Sequence, residues 1–167
     1  MTTFQLTDAD ATTRLGQAIA PLLEPGESVL LYGPLGMGKS TLARGLIRAL
    51  THPDEDVPSP TFTLVQFYES DPAIAHFDLY RLSRPEEAFE IGLDEALEEG
   101  CALIEWPERL GEDPGRMLGP DRLVIEISEP SPQAAALREG GDRALSGRVA
   151  TVSGAGAWEA KLKEVHV

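Results

Sequence analysis

Asparagine is absent from the 167 residues, cysteine occurs once, and lysine three times against eleven arginines. Each shortage removes a class of function. A lone Cys101 can form neither an internal disulfide nor a thiolate cage, and with three scattered histidines no zinc cluster is expected. Without asparagine there can be no N-K-x-D signature of the kind guanine-specific GTPases generally use. No apolar run approaches the ~18 residues that a membrane span needs. Met1 to Ala11 has no basic residue and no apolar signal core, so a cytosolic protein with no membrane partner is expected. Basic residues are scarce too. Fourteen Lys and Arg against 28 Asp and Glu leave a net charge of −14, which repels nucleic acid phosphates. If the protein serves RNA or DNA, a partner does the gripping.

What is present is globular in kind: 42% hydrophobic and 25% charged residues in a length that suits one domain, 1–167, at ~150 residues per domain. Thr7 followed by Asp10 reads as an N-cap with an acidic first turn, and Ala11, Leu15, Ala18, Ile19 and Leu22 recur at helical spacing, predicting a helix from about Asp8 toward Pro21. After the Glu24-Pro25-Gly26 turn, Ser28 to Tyr32 suits a buried parallel strand ended by Gly33, and Lys39 to Leu50 is an amphipathic helix. Thr61 to Glu69 and Ala73 to Phe77 read as strands joined by a turn, an antiparallel hairpin at one side of the sheet. Ser83 with Glu86 forms a capping box for a helix from about Arg84 to Glu90, with Leu93 to Glu99 another short helix. Cys101 to Ile104, Leu123 to Ile127 and Arg148 to Val152 are further strands, Pro130 to Gly147 is mostly loop, and Ala157 to Val165 is a terminal helix.

Gly33-Pro34-Leu35-Gly36-Met37-Gly38-Lys39-Ser40 matches G-x-x-x-x-G-K-[ST] and stands between a strand and a helix, as a P-loop must. Glycines let successive backbone N–H groups curl around phosphate oxygens, and the helix N-terminus adds partial positive charge. Lys39 would reach the β- and γ-phosphates as a flexible point charge, and the Ser40 hydroxyl would ligate Mg²⁺. In a chain that otherwise draws its positive charge almost entirely from arginine, that lysine has a reason to be there.

P-loop enzymes also need a carboxylate at the end of a neighbouring strand to hold the metal shell or orient water. Asp78 follows Ile74-Ala75-His76-Phe77 and Glu105 follows Cys101-Ala102-Leu103-Ile104. Pattern alone leaves both open, with Glu105 on the cleaner strand, and each equally readable as an ordinary strand-ending acid. Ser59, Thr61 and Thr63 lie in a Pro-bracketed loop where NTPases often keep a nucleotide-sensing switch, a position a solvated Ser/Thr loop also fits. His76 reads as a packed histidine, Cys101 as buried and inert, and Trp106 as a core, rim or nucleotide-side aromatic. ATP is favoured over GTP.

Together these residues resemble the TsaE/YjeE family, the small bacterial ATPases of tRNA threonylcarbamoyladenosine (t6A) biosynthesis. The matching blocks are Thr12-x-x-Leu15-Gly16, Gly33-x-Leu35-Gly36-x-Gly38-Lys39-Ser40-Thr41, Ser59-Pro60-Thr61-Phe62-Thr63-Leu64-Val65, His76-Phe77-Asp78-Leu79-Tyr80-Arg81-Leu82 and Ile104-Glu105-Trp106-Pro107, spanning roughly residues 12 to 107. The resemblance implies an α/β P-loop NTPase with a mainly parallel sheet flanked by helices. It implies ATP held at Gly33, Gly36, Met37, Gly38, Lys39, Ser40 and Thr41, Mg²⁺ on Ser40 and Glu105, and Lys39, Asp78 and Glu105 as the catalytic set. Thr61 would belong to a switch-like loop and Trp106 would sit near the site.

The same resemblance implies an ATPase that is feeble alone and works with a Kae1-like transferase of the TsaD type and its TsaB-type paralogue, meeting tRNA mainly through that complex. Hydrolysis there would drive repeated rounds of threonylcarbamoyl transfer to adenosine 37. Departures are modest: Pro34 stands where an acid is common, Ser40 replaces the usual Thr, and residues 130–167 match poorly. Two other classes stay open on the residues alone. A small-molecule P-loop kinase would need a mobile Arg-rich lid, for which Arg81, Arg84 and Arg109 are too scattered. A non-hydrolysing nucleotide-dependent adaptor would use binding alone.

Overall fold

Alternation of apolar and polar residues places Thr2–Leu6 (β1) at a sheet edge, while the bare apolar runs Ser28–Tyr32 (β2) and Gly100–Glu105 (β5) lie in its middle. A computed structural model describes residues 1–130 and 147–167. The remaining strands are Val65–Tyr68 (β3), Ala73–Asp78 (β4), Arg122–Ser128 (β6) and Arg148–Ala155 (β7). The order is β1-β7-β6-β2-β5-β4-β3. The four central strands β6, β2, β5 and β4 run parallel, and the additions at both edges, β3 on one side and β7 with β1 on the other, are antiparallel.

Ala9–Ile19 (α1) and Lys39–Leu50 (α2) pack on one face of the sheet. Leu15, Ile19, Leu42 and Leu46 meet Val29, Leu31, Leu103 and Ile125 there. The other face buries Leu30, Phe77, Ala102 and Ile104 under the short helices Glu87–Glu90 (α3) and Leu93–Glu99 (α4). The two helices α1 and α2 approach so closely that a Cβ on Gly16 would strike the backbone carbonyl of Leu42, which gives Gly16 a packing reason. That contact sets the floor beneath the glycine loop.

The end of the chain is tied back to the start of β2. Trp158, in the one-turn helix Trp158–Lys161 (α5), donates its indole N–H to Glu27 Oε1 at 3.1 Å, and Lys161 Nζ reaches Glu27 Oε2 at 2.7 Å. Burial works against the Lys161 ammonium, but the hydrogen bonds and charges of Glu27 and Glu24 outweigh it and raise its pKa.

Several sequence expectations shift. The cap of α1 is Asp8, whose carboxylate accepts from Ala11 N at 2.8 Å, so Thr7 does not cap it, while Asp10 makes the first turn acidic as expected. The strand expected over Thr61 to Glu69 shrinks to β3, because Leu64 turns back to donate to Pro60 O and adopts φ +69°. The Ser83 capping box does not form: α3 starts at Glu87 with Glu86 as an N-cap that makes no side-chain bond. β1 was not expected at all. Arg148 to Val152 extends to Ala155, and the terminal helix is α5 followed by a 3-10 turn at Leu162–Glu164. The loop reading of Pro130 to Gly147 falls almost wholly outside the described residues.

Cys101 is 1% exposed, and burial pushes its thiol up to about 12. The folded thiol should therefore resist a disulfide reagent at pH 8 and react fully once denaturant is added; fast reaction of the native protein would contradict this placement. As the pKa is raised, unfolding releases a proton above the ordinary value of 9.0, so this thiol's contribution to stability is lost as pH climbs from about 9 to about 12.

Candidate functional site

β2 ends at Tyr32 and the chain turns over the top of the sheet into α2, whose N-cap is Gly38 at φ +104°. A residue with a Cβ would be strained there. Gly38 has no side chain to cap the helix, so the first-turn N–H groups of α2 have no internal acceptor and face outward. This contrasts with α1, which Asp8 caps. An uncapped helix start behind a glycine loop is an anion cradle, with dipole and donors aligned.

The parallel register carries the acids to the same edge. Asp78 and Glu105 are Cα partners across β4 and β5, and Leu31 of β2 pairs with Glu105. Both carboxylates therefore stand beside the loop. They are 7% and 3% exposed, and Lys39 is 5% exposed. A cavity of about 290 Å³ collects Lys39, Ser40, Thr41, Thr61, Asp78, Glu105 and Trp106 over the glycine loop.

The acids and hydroxyls nearest the loop have defined partners. Ser40 Oγ lies 3.4 Å from Glu105 Oε1, and the other carboxylate oxygen is 2.7 Å from His76 Nε2. Thr61 Oγ1 donates to Asp78 Oδ2 at 3.2 Å and is 2.6 Å from Ser59 Oγ. Asp78 Oδ1 accepts from Tyr80 N at 3.0 Å. Asp78 thus latches the Ser59-to-Val65 loop, while Glu105 faces the first turn of α2.

Lys39 rests on Gly33 O at 2.6 Å with its ammonium 3.6 Å over the Trp106 ring. Burial is the largest influence on it and lowers its pKa, against the opposing pull of Glu105, Glu108 and Asp78. Trp106 reaches this position because its backbone is left-handed, φ +59°, immediately after β5. Such a conformation costs free energy for a bulky residue, and it turns the indole back over the loop. The indole also stacks with Tyr80, ring centroids 5.0 Å apart.

A second cavity, about 190 Å³, opens on the other side of the loop and is lined by Asp8, Ala9, Thr12, Gly36, Met37, Gly38, Thr41 and Arg148. Of the residues singled out in the sequence, Lys39, Ser40, Thr61, Asp78, Glu105 and Trp106 line the first cavity, Met37 lines the second, and Gly36, Gly38 and Thr41 line both. Gly33 contributes its carbonyl to Lys39. Sequence reading did not single out Asp8, Ala9 or Arg148. Their convergence depends on β1 and β7 pairing at the edge, which no motif announces. His76 is packed as expected but also bonded to Glu105. Among the described residues no cluster of three His, Cys, Asp or Glu side chains could hold a metal unaided.

Residues 6–136 match the family described as threonylcarbamoyl adenosine biosynthesis protein TsaE. Curated proteins similar to the chain carry the name tRNA threonylcarbamoyladenosine biosynthesis protein TsaE. That of Rickettsia felis is 42% identical over 104 residues, 62% of this chain and 61% of that protein. That of Synechocystis is 43% identical over 120 residues, 68% and 74%. That of Treponema pallidum is 39% identical over 106 residues, 63% and 78%. The match to the rickettsial protein spans about three fifths of its length. The crystal structure of Bacillus subtilis YdiB superposes with a TM-score of 0.69 at 24% identity, covering 98% of this chain and 91% of that one, which supports the fold.

A ligand that draws the Lys39 ammonium off the Trp106 ring should change indole emission. Titrating magnesium nucleotide is expected to give a saturable fluorescence change that Trp106→Phe abolishes and Trp158→Phe retains, since Trp158 is buried on Glu27 away from the loop. Persistence of the signal in Trp106→Phe would contradict this geometry.

Proposed function

The chain belongs to the TsaE family, and from that premise we propose that it is a Mg²⁺-dependent ATPase of tRNA threonylcarbamoyladenosine biosynthesis, feeble alone and active with its transferase partners. The observation that carries this reading is the shared cavity. Lys39, an uncapped helix start, a hydroxyl and two buried carboxylates all face one space above the glycine loop. The loop amides and Lys39 would take the phosphates, with Lys39 exchanging Gly33 O for a phosphate oxygen. The base and ribose would extend into the cavity lined by Asp8, Thr12 and Arg148.

The residues fit Mg²⁺. Ser40 Oγ and Glu105 Oε1 are hard oxygen donors 3.4 Å apart beside a phosphate cradle, and magnesium keeps waters and phosphate oxygens in its shell, so a full protein cage is not needed. When bound there it would neutralise charge building on the phosphates. Ser40 and Glu105 would hold it. Asp78 acts on the loop side, gripping Thr61, and Glu105 or Asp78 would orient the attacking water. Thr61 then couples the state of the phosphates to the Ser59-to-Val65 loop, which carries the exposed Phe62.

That loop is the natural surface for reporting nucleotide state to a protein. The resemblance supports a TsaD-type transferase and its TsaB-type paralogue as the partners, in the cytoplasm, with tRNA met mainly through them. A net charge of −14 supports the indirect contact with tRNA.

A single-turnover assay with γ-labelled ATP, with and without the transferase pair, tests the proposal. Phosphate is expected to appear in water, slowly for the protein alone and faster with the pair. Transfer of label to a metabolite would make it a kinase, and retention of label on the nucleotide would make it an adaptor.

A further inference from the structure

His76 sits in the middle of β4, beside Ile74 and Asp78 on one face, with Leu103 its direct cross-strand partner. Its side chain is 2% exposed, on a strand whose other residues on that face include the apolar Ile74. Yet it makes one hydrogen bond and leaves a ring nitrogen without a partner. Nε2 meets Glu105 Oε2 at 2.7 Å, and Nδ1 is buried with no acceptor or donor in reach. A buried polar atom left unsatisfied is unfavourable, so the bond to Glu105 must offset it.

We infer that His76 is a positioning residue for Glu105, an inference that rests on the reading of Glu105 as the magnesium-side carboxylate. The carboxylate accepts at Oε2, so Nε2 carries the proton and donates. A short bond of this kind, sealed from water, fixes the plane of the carboxylate. With Oε2 held by the ring, Oε1 is the oxygen left to face Ser40 Oγ. Without the ring, Glu105 would be free to turn. Asp78, its register partner, is bonded to Thr61 and Tyr80 and offers Glu105 no donor. Two neighbouring carboxylates repel, and among the described residues the His76 N–H is the shorter of the two side-chain contacts to Glu105, drawing Oε2 away from Ser40.

The arrangement matches the general logic of outer-shell partners, which orient a ligand without touching the ion. It also accounts for a buried histidine that leaves one ring nitrogen unpartnered.

The test uses the full chain with a fluorescent ADP analogue and Mg²⁺ as probes. In wild type, nucleotide affinity should rise with Mg²⁺, and the midpoint of that titration is the readout. His76→Leu is expected to bind nucleotide in EDTA as wild type does while its Mg²⁺ midpoint rises about 10- to 100-fold. His76→Gln, whose amide nitrogen can reproduce the Nε2 donor, should return the midpoint toward wild type. If His76→Leu does not fold, His76→Phe keeps an aromatic volume and serves the same comparison. In a Glu105→Gln background His76→Leu should add no further loss.

A wild-type midpoint in folded His76→Leu or His76→Phe would overturn the inference alone. So would a His76→Gln midpoint no better than that of His76→Leu. A wild-type protein whose nucleotide affinity ignores Mg²⁺ would instead overturn the reading of Glu105, and this inference with it.

Discussion

The fold holds one buried lysine against two buried carboxylates at the tip of a parallel sheet, and the rest of the site follows from that imbalance. Lys39 supplies one positive charge and Asp78 with Glu105 two negative ones, all within a tenth of full burial. Such a site repels a polyphosphate unless other positive charge accompanies it. The helix start of α2 supplies part, as a partial charge, and a divalent cation would supply the remainder. On the proposed reading, this is why a magnesium complex would bind in preference to a free nucleotide, and why the orientation of Glu105 would matter.

The sheet makes the juxtaposition possible. In a parallel sheet the strands β2, β5 and β4 all point their C-terminal ends to one edge, so the glycine loop and the two strand-ending acids arrive together without any local contact in sequence. α1 packs tightly under α2 at Gly16, which sets the height of the loop. The antiparallel edges do other work. β3 anchors the Ser59-to-Val65 loop through the Leu64 carbonyl, which accepts from Asp78 N at 2.9 Å, while β1 and β7 build the wall of the second cavity. Trp106 and Leu64, the two non-glycine residues with positive φ among the described residues, both border the site, so backbone strain is concentrated there.

Much of this was legible in the sequence, for identifiable reasons. β2, α2 and α4 stand at the residues expected because short apolar runs and helical spacing are local signals, bounded by glycine and by the P-loop itself. Asp78 and Glu105 could be named as strand-ending acids, but not told apart. Their division of labour depends on His76, Thr61 and Tyr80, which come from other parts of the fold. β1 was missed because an edge strand needs only a weak alternation and borrows its stability from β7, some 140 residues away. The Ser83 box misled because Pro85 and the turn before α3 leave its donors outside the helix. Asp8 took the cap that Thr7 was expected to make, since its carboxylate is one residue closer to Ala11 N.

The central claim is that a metal-bound polyphosphate sits between the start of α2 and the ends of β4 and β5. A crystal structure with Mn²⁺ and a non-hydrolysable ATP analogue, read by anomalous scattering, tests it most directly. The account predicts one manganese peak between Ser40 Oγ and the Glu105 carboxylate, with Lys39 Nζ moved from Gly33 O to a phosphate oxygen. Phosphates lodged outside the glycine loop, or manganese bound away from Ser40 and Glu105, would contradict it.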